Sequence, residues 1–227
     1  MKLNTNEKDV VIESGQLKLK GILGMPEGAK GIVIFAHGSG SGRLSSRNQF
    51  VASELQKAQL GTLLMDLLTD DEESNRSNVF DMELLSRRLN IAKKWVLEQK
   101  PYQMMSVAFF GASTGGGAAL IAAAQDPRRV FAVVSRGGRP DLAKDYLPKV
   151  KVPSLLIVGG QDGEVIQLNE IAFKQMKCAK EMKIVAGATH LFEEPGALEQ
   201  VAKLASDWFT RHLPKTIWNL LQDNQVI

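Results

Sequence analysis

The strongest constraint on the fold is a rhythm in the chain: short, continuous apolar runs, each followed by a stretch of helical length. Runs at 31–36, 62–65, 106–110, 130–134, 154–158 and 182–185 are rich in Val, Ile, Leu and Phe. Apolar residues at successive positions are the pattern of strands buried on both faces. Between them, 46–58, 79–99, 114–125, 165–177 and 197–212 have helical length. Leu85, Leu89, Ala92, Trp95 and Val96 recur at helical spacing in one, and Val201, Leu204, Ala205, Trp208 and Phe209 in another. This alternation predicts an α/β fold with a mostly parallel central sheet and helices on both faces. The alternating stretch 17–23 and the run 10–12 flank a turn at 13–16, which predicts an antiparallel N-terminal hairpin at one edge. Asp70-Asp71-Glu72-Glu73 reads as a solvated loop. With no repeat, second core or low-complexity linker, the chain reads as one domain over 1–227. Its core is expected over about 10–212, with a C-terminal extension, 213–227, whose Ile217, Trp218, Leu220 and Leu221 dock onto the body.

Composition narrows the partners. A chain of 227 residues buries about 70% of its unfolded surface and needs no staple. The 28 Lys+Arg against 25 Asp+Glu leave a net charge of +3, spread out. Without dense basic clusters, neither nucleic acid nor a lipid surface is an expected partner. The single cysteine, Cys178, excludes an internal disulfide and a multi-cysteine zinc site. His37, His190 and His212 lie too far apart for a local metal motif. No apolar run reaches the ~18 residues of a membrane span, and the first residues lack the apolar core of a signal peptide. The expectation is a soluble, cytoplasmic protein without a metal site.

Functional groups of open parallel sheets gather beyond the carboxyl ends of the strands. The run ending at Phe110 enters Gly111-Ala112-Ser113-Thr114-Gly115-Gly116-Gly117, a G-x-S-x-G between strand and helix. Such a turn projects the serine hydroxyl at a helix N-terminus, where N–H groups and the helix dipole favour a developing oxyanion. A phosphate-binding Walker loop would need Lys and Ser/Thr where Ala118-Ala119 stand. A serine needs a base. His190, after the last strand in Gly187-Ala188-Thr189-His190, is placed to reach Ser113, whereas His212 ends a helix and reads as a helix-end charge. The orienting acid is expected after a strand between these two, and Gly159-Gly160-Gln161-Asp162 supplies Asp162, with Glu164 and Asp141 as rivals. The N–H of Thr114 and a backbone N–H at Ser39, in His37-Gly38-Ser39-Gly40, form the expected oxyanion hole, with His37 organising its loop.

Together these segments make the chain resemble an α/β-hydrolase, closest to the dienelactone hydrolase family and its serine-dependent esterase-like relatives, over about residues 10–212. The resemblance implies cofactor-free hydrolysis of a small-molecule ester, lactone or thioester. Authentic dienelactone hydrolases carry cysteine where this chain has Ser113, and Cys178 stands elsewhere. The reading is therefore a serine carboxylesterase; an acyl-thioesterase and a non-catalytic small-molecule receptor on the same fold are the alternatives. Arg43, Arg47, Arg136 and Arg139 fall near the active edge. Arg136, then Arg43, are the candidates for holding a substrate anion. The competing reading pairs these arginines internally, with 70–73 or with Glu193 and Glu194. The chain between Val134 and Val152 is too short for a lid domain, so an open cleft is expected, with Leu44, Leu191 and Phe192 as candidate lining.

Overall fold

A computed structural model describes residues 6–214; the docking expected of 217–221 lies outside the described residues. Strands β1 (Asn6–Ser14) and β2 (Leu17–Met25) form the antiparallel hairpin, closed by a turn at Gly15, whose φ is +59°. The parallel strands follow: β3 (Ile32–Ala36), β4 (Gly61–Met65), β5 (Val107–Ala112), β6 (Val130–Arg136), β7 (Ser154–Gly159) and β8 (Lys180–Val185). They make an eight-stranded sheet in the order β1-β2-β4-β3-β5-β6-β7-β8, with β2 antiparallel to β4. The helices are α1 (Ser46–Lys57), α2 (Asp70–Glu73), α3 (Met82–Glu98), α4 (Thr114–Gln125), α5 (Gly163–Gln175) and α6 (Ala197–His212). This is the mostly parallel, hairpin-edged α/β sheet expected from the strand–helix rhythm, and it is the α/β-hydrolase fold that the resemblance implies.

The period of two along each strand divides the core between the two sheet faces. Ile32, Ile34, Val107, Phe109 and Leu156 face α3, α4 and α5 in one apolar cluster. Val33, Phe35, Ala108, Phe110 and Ile157 face α1 and α6 in the other. Both sides of β3, β5, β6 and β7 are buried, so these strands read as unbroken apolar runs.

Two differences from the sequence reading have a local hydrogen-bonding cause. The helix expected over 79–99 begins at Met82, because Asp81 Oδ1 accepts the Leu84 N–H at 2.9 Å and caps it there. The acidic run 70–73 is a single helical turn rather than a loop. Thr69 and Glu72 bond reciprocally across its start, a capping box readable as Thr-x-x-Glu in the chain.

Candidate active site

The strand-to-helix turn after β5 forces Ser113 out of ordinary geometry. Its φ is 51° and ψ −122°, a region that L-residues occupy only under constraint. The constraint is visible: the Ser113 N–H donates to Arg136 O at 3.2 Å, and Ser113 O accepts from Gly116 N at 3.0 Å and Arg139 N at 3.0 Å. A Cβ on Gly111 would overlap the Gly115 backbone, and one on Gly115 would overlap the carbonyls of Ala36 and His37. The two outer glycines of G-x-S-x-G are thus steric requirements of the elbow. Gly116 and Gly117 let α4 lie close against Ser135, Gly138 and Arg139.

Two loops bring the other chemistry to this elbow. Gly160 N donates to Val185 O at 2.8 Å and Gln161 N to Ala188 O at 2.9 Å, lacing the turn after β7 to that after β8. Asp162 and His190 are thereby held together, Nδ1 of the imidazole 2.6 Å from Asp162 Oδ2. On its other side, His190 Nε2 lies 3.3 Å from Ser113 Oγ. Asp162 is mostly buried, while His190 keeps a path to solvent, its side chain 37% exposed. The rivals lie apart from this relay: Asp141 is held by both Nε and Nη2 of Arg139, and Glu164 sits in the first turn of α5.

The expected oxyanion donors adjoin Ser113. Thr114 is the first residue of α4, so its N–H lacks an intrahelical acceptor. The loop after β3 passes close enough that a Cβ on Gly38 would stand 3.0 Å from that of Ser113. Ser39 N–H donates to Thr114 Oγ1 at 3.1 Å, which ties the loop after β3 to the first residue of α4 and occupies this N–H with a hydroxyl. His37 organises the loop as read from the sequence. Its Nε2 accepts the Leu67 N–H at 3.0 Å, which puts the proton on Nδ1, 2.9 Å from Gly38 O.

Ser113 and His190 open onto a cavity of about 240 Å³, also lined by Arg136, Arg47, Asn48 and Leu191. Leu191 lines it as expected, whereas Phe192 is buried in the core and Leu44 is exposed away from it. The arginines divide. Arg43 is corrected: its N–H and Nη1 both bind Asp66, at 2.7 and 2.5 Å, so its charge is compensated inside the protein and it does not line the cavity. Arg47 pairs with Glu193 at 3.0 Å, one of the acids named for internal pairing. Arg136 is the last residue of β6, and it is 95% buried, being 5% exposed. The His212 ring packs at a tilt against Trp208, with ring centroids 4.3 Å apart. Burial, then the neighbouring Arg211 charge, lowers its pKa, which weakens the helix-end charge expected there. Asn48, which Ser45 caps from the start of α1, is a cavity residue that no sequence signal marked.

Solved structures share this architecture. A dienelactone hydrolase from Anabaena variabilis is 55% identical, with a TM-score of 0.90, over 92% of this chain and 99% of that one. Est1E from Butyrivibrio proteoclasticus, 16% identical with a TM-score of 0.78, shares the fold over 91% of this chain and 99% of that one. Two Mycobacterium tuberculosis proteins, from strains CDC 1551 / Oshkosh and H37Rv, are 55% identical over 91% of this chain and 47% of their own length. Their provisional name is phosphoribosyl transferase, and this chain spans about half of each. Among the described residues no helix is long and apolar enough to cross a membrane. With residues 19–214 matching the model of the dienelactone hydrolase family, the chain belongs to that family of hydrolases.

Proposed function

We propose that this chain is a serine hydrolase that cleaves carboxylic esters of small molecules through an acyl-enzyme. The observation that carries the reading is the continuous relay Asp162–His190–Ser113, with separations of 2.6 and 3.3 Å, at a strained turn heading a helix. Ser113 Oγ attacks the ester carbonyl carbon as His190 Nε2 takes its proton. Asp162 holds the imidazole with Nε2 toward the serine and balances the imidazolium charge. The Thr114 N–H receives the new oxyanion, joined by Ser39 N–H once it leaves the Thr114 hydroxyl. The tetrahedral intermediate collapses, and the leaving alkoxide takes the proton from His190 and departs as the alcohol. Water then enters, gives a proton to His190 and attacks the acyl carbon. Collapse returns that proton to Ser113 Oγ and frees the acid.

The transferase name carried by the mycobacterial relatives describes proteins twice this length, and the hydrolase reading rests on this chain's own side chains. The test is turnover of short alkyl esters by wild type and Ser113→Ala, followed by acid release. The substitution is expected to lower kcat by roughly 10³-fold or more, and a fluorophosphonate is expected to label Ser113 stoichiometrically. Turnover near the wild-type level in Ser113→Ala rejects the assignment.

A further inference from the structure

Arg136 is an anomaly that the ester-cleaving reading does not require. It stands in register with Ala112, the residue before Ser113, at the end of the adjoining strand. It is 5% exposed, yet its side chain finds little to compensate its charge. Nη2 donates to the neutral Asn48 Oδ1 at 3.3 Å, and Nε is buried with no partner. The Phe192 ring lies 5.8 Å from the guanidinium carbon. No carboxylate among the described residues offsets it, and the nearest named charge is Arg47, of the same sign. Burial first, then Arg47, pushes the Arg136 pKa down to about 10; it remains a cation at neutral pH.

Burying an uncompensated charge costs several kcal/mol, so structural packing alone is a poor reason to keep one. Arg47 has Glu193, which leaves one surplus positive charge on the wall of the 240 Å³ cavity shared by Ser113 and His190. A guanidinium fork matches the paired oxygens of a carboxylate or a phosphate. The cavity is smaller than the roughly 300–1,000 Å³ of sites for drug-sized ligands, so what fits beside the serine is compact. We propose that Arg136, flanked by Asn48 and Arg47, is an anion-binding subsite of the catalytic pocket, and that the physiological substrates are small esters carrying a carboxylate or phosphate group. This inference rests on Ser113 being the nucleophile.

The experiment compares kcat/KM of the full chain for three alkyl esters of matched length: methyl butyrate, monomethyl succinate and methyl 3-phosphonopropionate. Acid release is followed by pH-stat. Charge-assisted hydrogen bonds of this kind predict a preference of about tenfold or more for an anionic ester over the neutral one. The larger preference assigns the carboxylate or the phosphate arm. Arg136→Met is expected to erase that preference, lowering kcat/KM for the anionic ester about tenfold more than for methyl butyrate. Its melting temperature is expected to hold or rise, since a buried unpaired charge has gone. A lower melting temperature with the preference intact makes Arg136 structural and overturns the proposal. An independent readout needs no variant: succinate or 3-phosphonopropionate should inhibit wild-type methyl butyrate hydrolysis at concentrations about tenfold below butyramide. Equal turnover of all three esters, abolished in Ser113→Ala, overturns the anion subsite alone. Hydrolysis that survives in Ser113→Ala overturns the nucleophile assignment beneath it.

Discussion

Ser113 holds a φ of 51° that a side chain disfavours, and three backbone hydrogen bonds keep it there. Strain of this kind costs about 1–3 kcal/mol and is tolerated because it lifts the hydroxyl clear of the sheet edge. Alanine at this position loses the hydroxyl and retains the strain, whereas glycine relieves it. Glycine gives back about 0.4–1 kcal/mol through the greater freedom of the unfolded chain, leaving a net gain near 1 kcal/mol. Ser113→Gly is therefore expected to melt about 2–4 °C above Ser113→Ala, with both inactive; equal melting temperatures in calorimetry would show that the turn stores no strain. At Asp162 the effect is electrostatic and orientational. Asp162→Asn keeps the shape but removes the charge 2.6 Å from His190 Nδ1, and kcat is expected to fall roughly 10³- to 10⁴-fold with KM little changed. Steady-state kinetics separate this from a binding defect, in which KM carries the loss.

At the scale of elements, what was legible in the chain was what periodicity encodes. β3, β5, β6 and β7 have every residue buried and read as continuous apolar runs. α4 fills the interval 114–125 read for it, between the G-x-S-x-G turn and Asp126. What periodicity missed was local hydrogen bonding: the Asp81 cap that delays α3 and the Thr69–Glu72 box that turns an acidic run into helix. The three glycines heading α4 serve close packing, since a Cβ at each meets neighbouring backbone or Ser135. The same reasoning predicts a contrast within one residue type. Gly115→Ala presses a methyl group into the carbonyls of Ala36 and His37, backbone atoms of β3 and the loop that carries Ser39. Overpacking of that sort costs about 1–3 kcal/mol, and the displaced loop is expected to abolish turnover. Gly163→Ala, at the first position of α5 with open space around it, is expected to stabilise by about 0.4–1 kcal/mol. Urea midpoints moving in opposite directions would verify both, and a neutral Gly115→Ala would refute the steric account of the elbow.

Over the whole molecule, the order of the candidate site was legible because the fold collects strand ends at one rim, so a serine, an acid and a histidine in sequence order become neighbours. The charge pairing was not, because it is set by contacts between distant segments. Arg43 finds Asp66 across 23 residues, and the Arg136 side chain hydrogen-bonds the neutral Asn48, 88 residues away. The same holds for Lys93 of α3, a lysine 5% exposed that no pattern marked. Its ammonium lies 2.8 Å from Asp126 Oδ2 and donates to the carbonyls of Asp126 and Arg128 at 2.7 and 3.3 Å. It thereby ties α3 to the end of α4 and to the start of β6, on the sheet face behind the elbow. Hydrogen bonds from Arg128 first, then from Lys93, hold the Asp126 carboxyl well below its ordinary value of 3.8. A carboxyl with a depressed folded-state pKa contributes stability that is complete above its unfolded value and is lost as pH falls through the folded one. Asp126→Asn leaves Lys93 buried without a countercharge. Because Asp126 keeps some contact with solvent, the expected loss at pH 7 is about 2 kcal/mol, below the 3–5 kcal/mol of fully buried pairs. Between pH 7 and pH 5 that deficit should be constant; below about pH 4, where the unfolded carboxyl protonates, wild type should lose stability faster than the variant and the two should converge. Denaturation curves of both proteins across this range decide it, and a deficit that persists undiminished in acid would mean that the Asp126 charge does not hold these helices together.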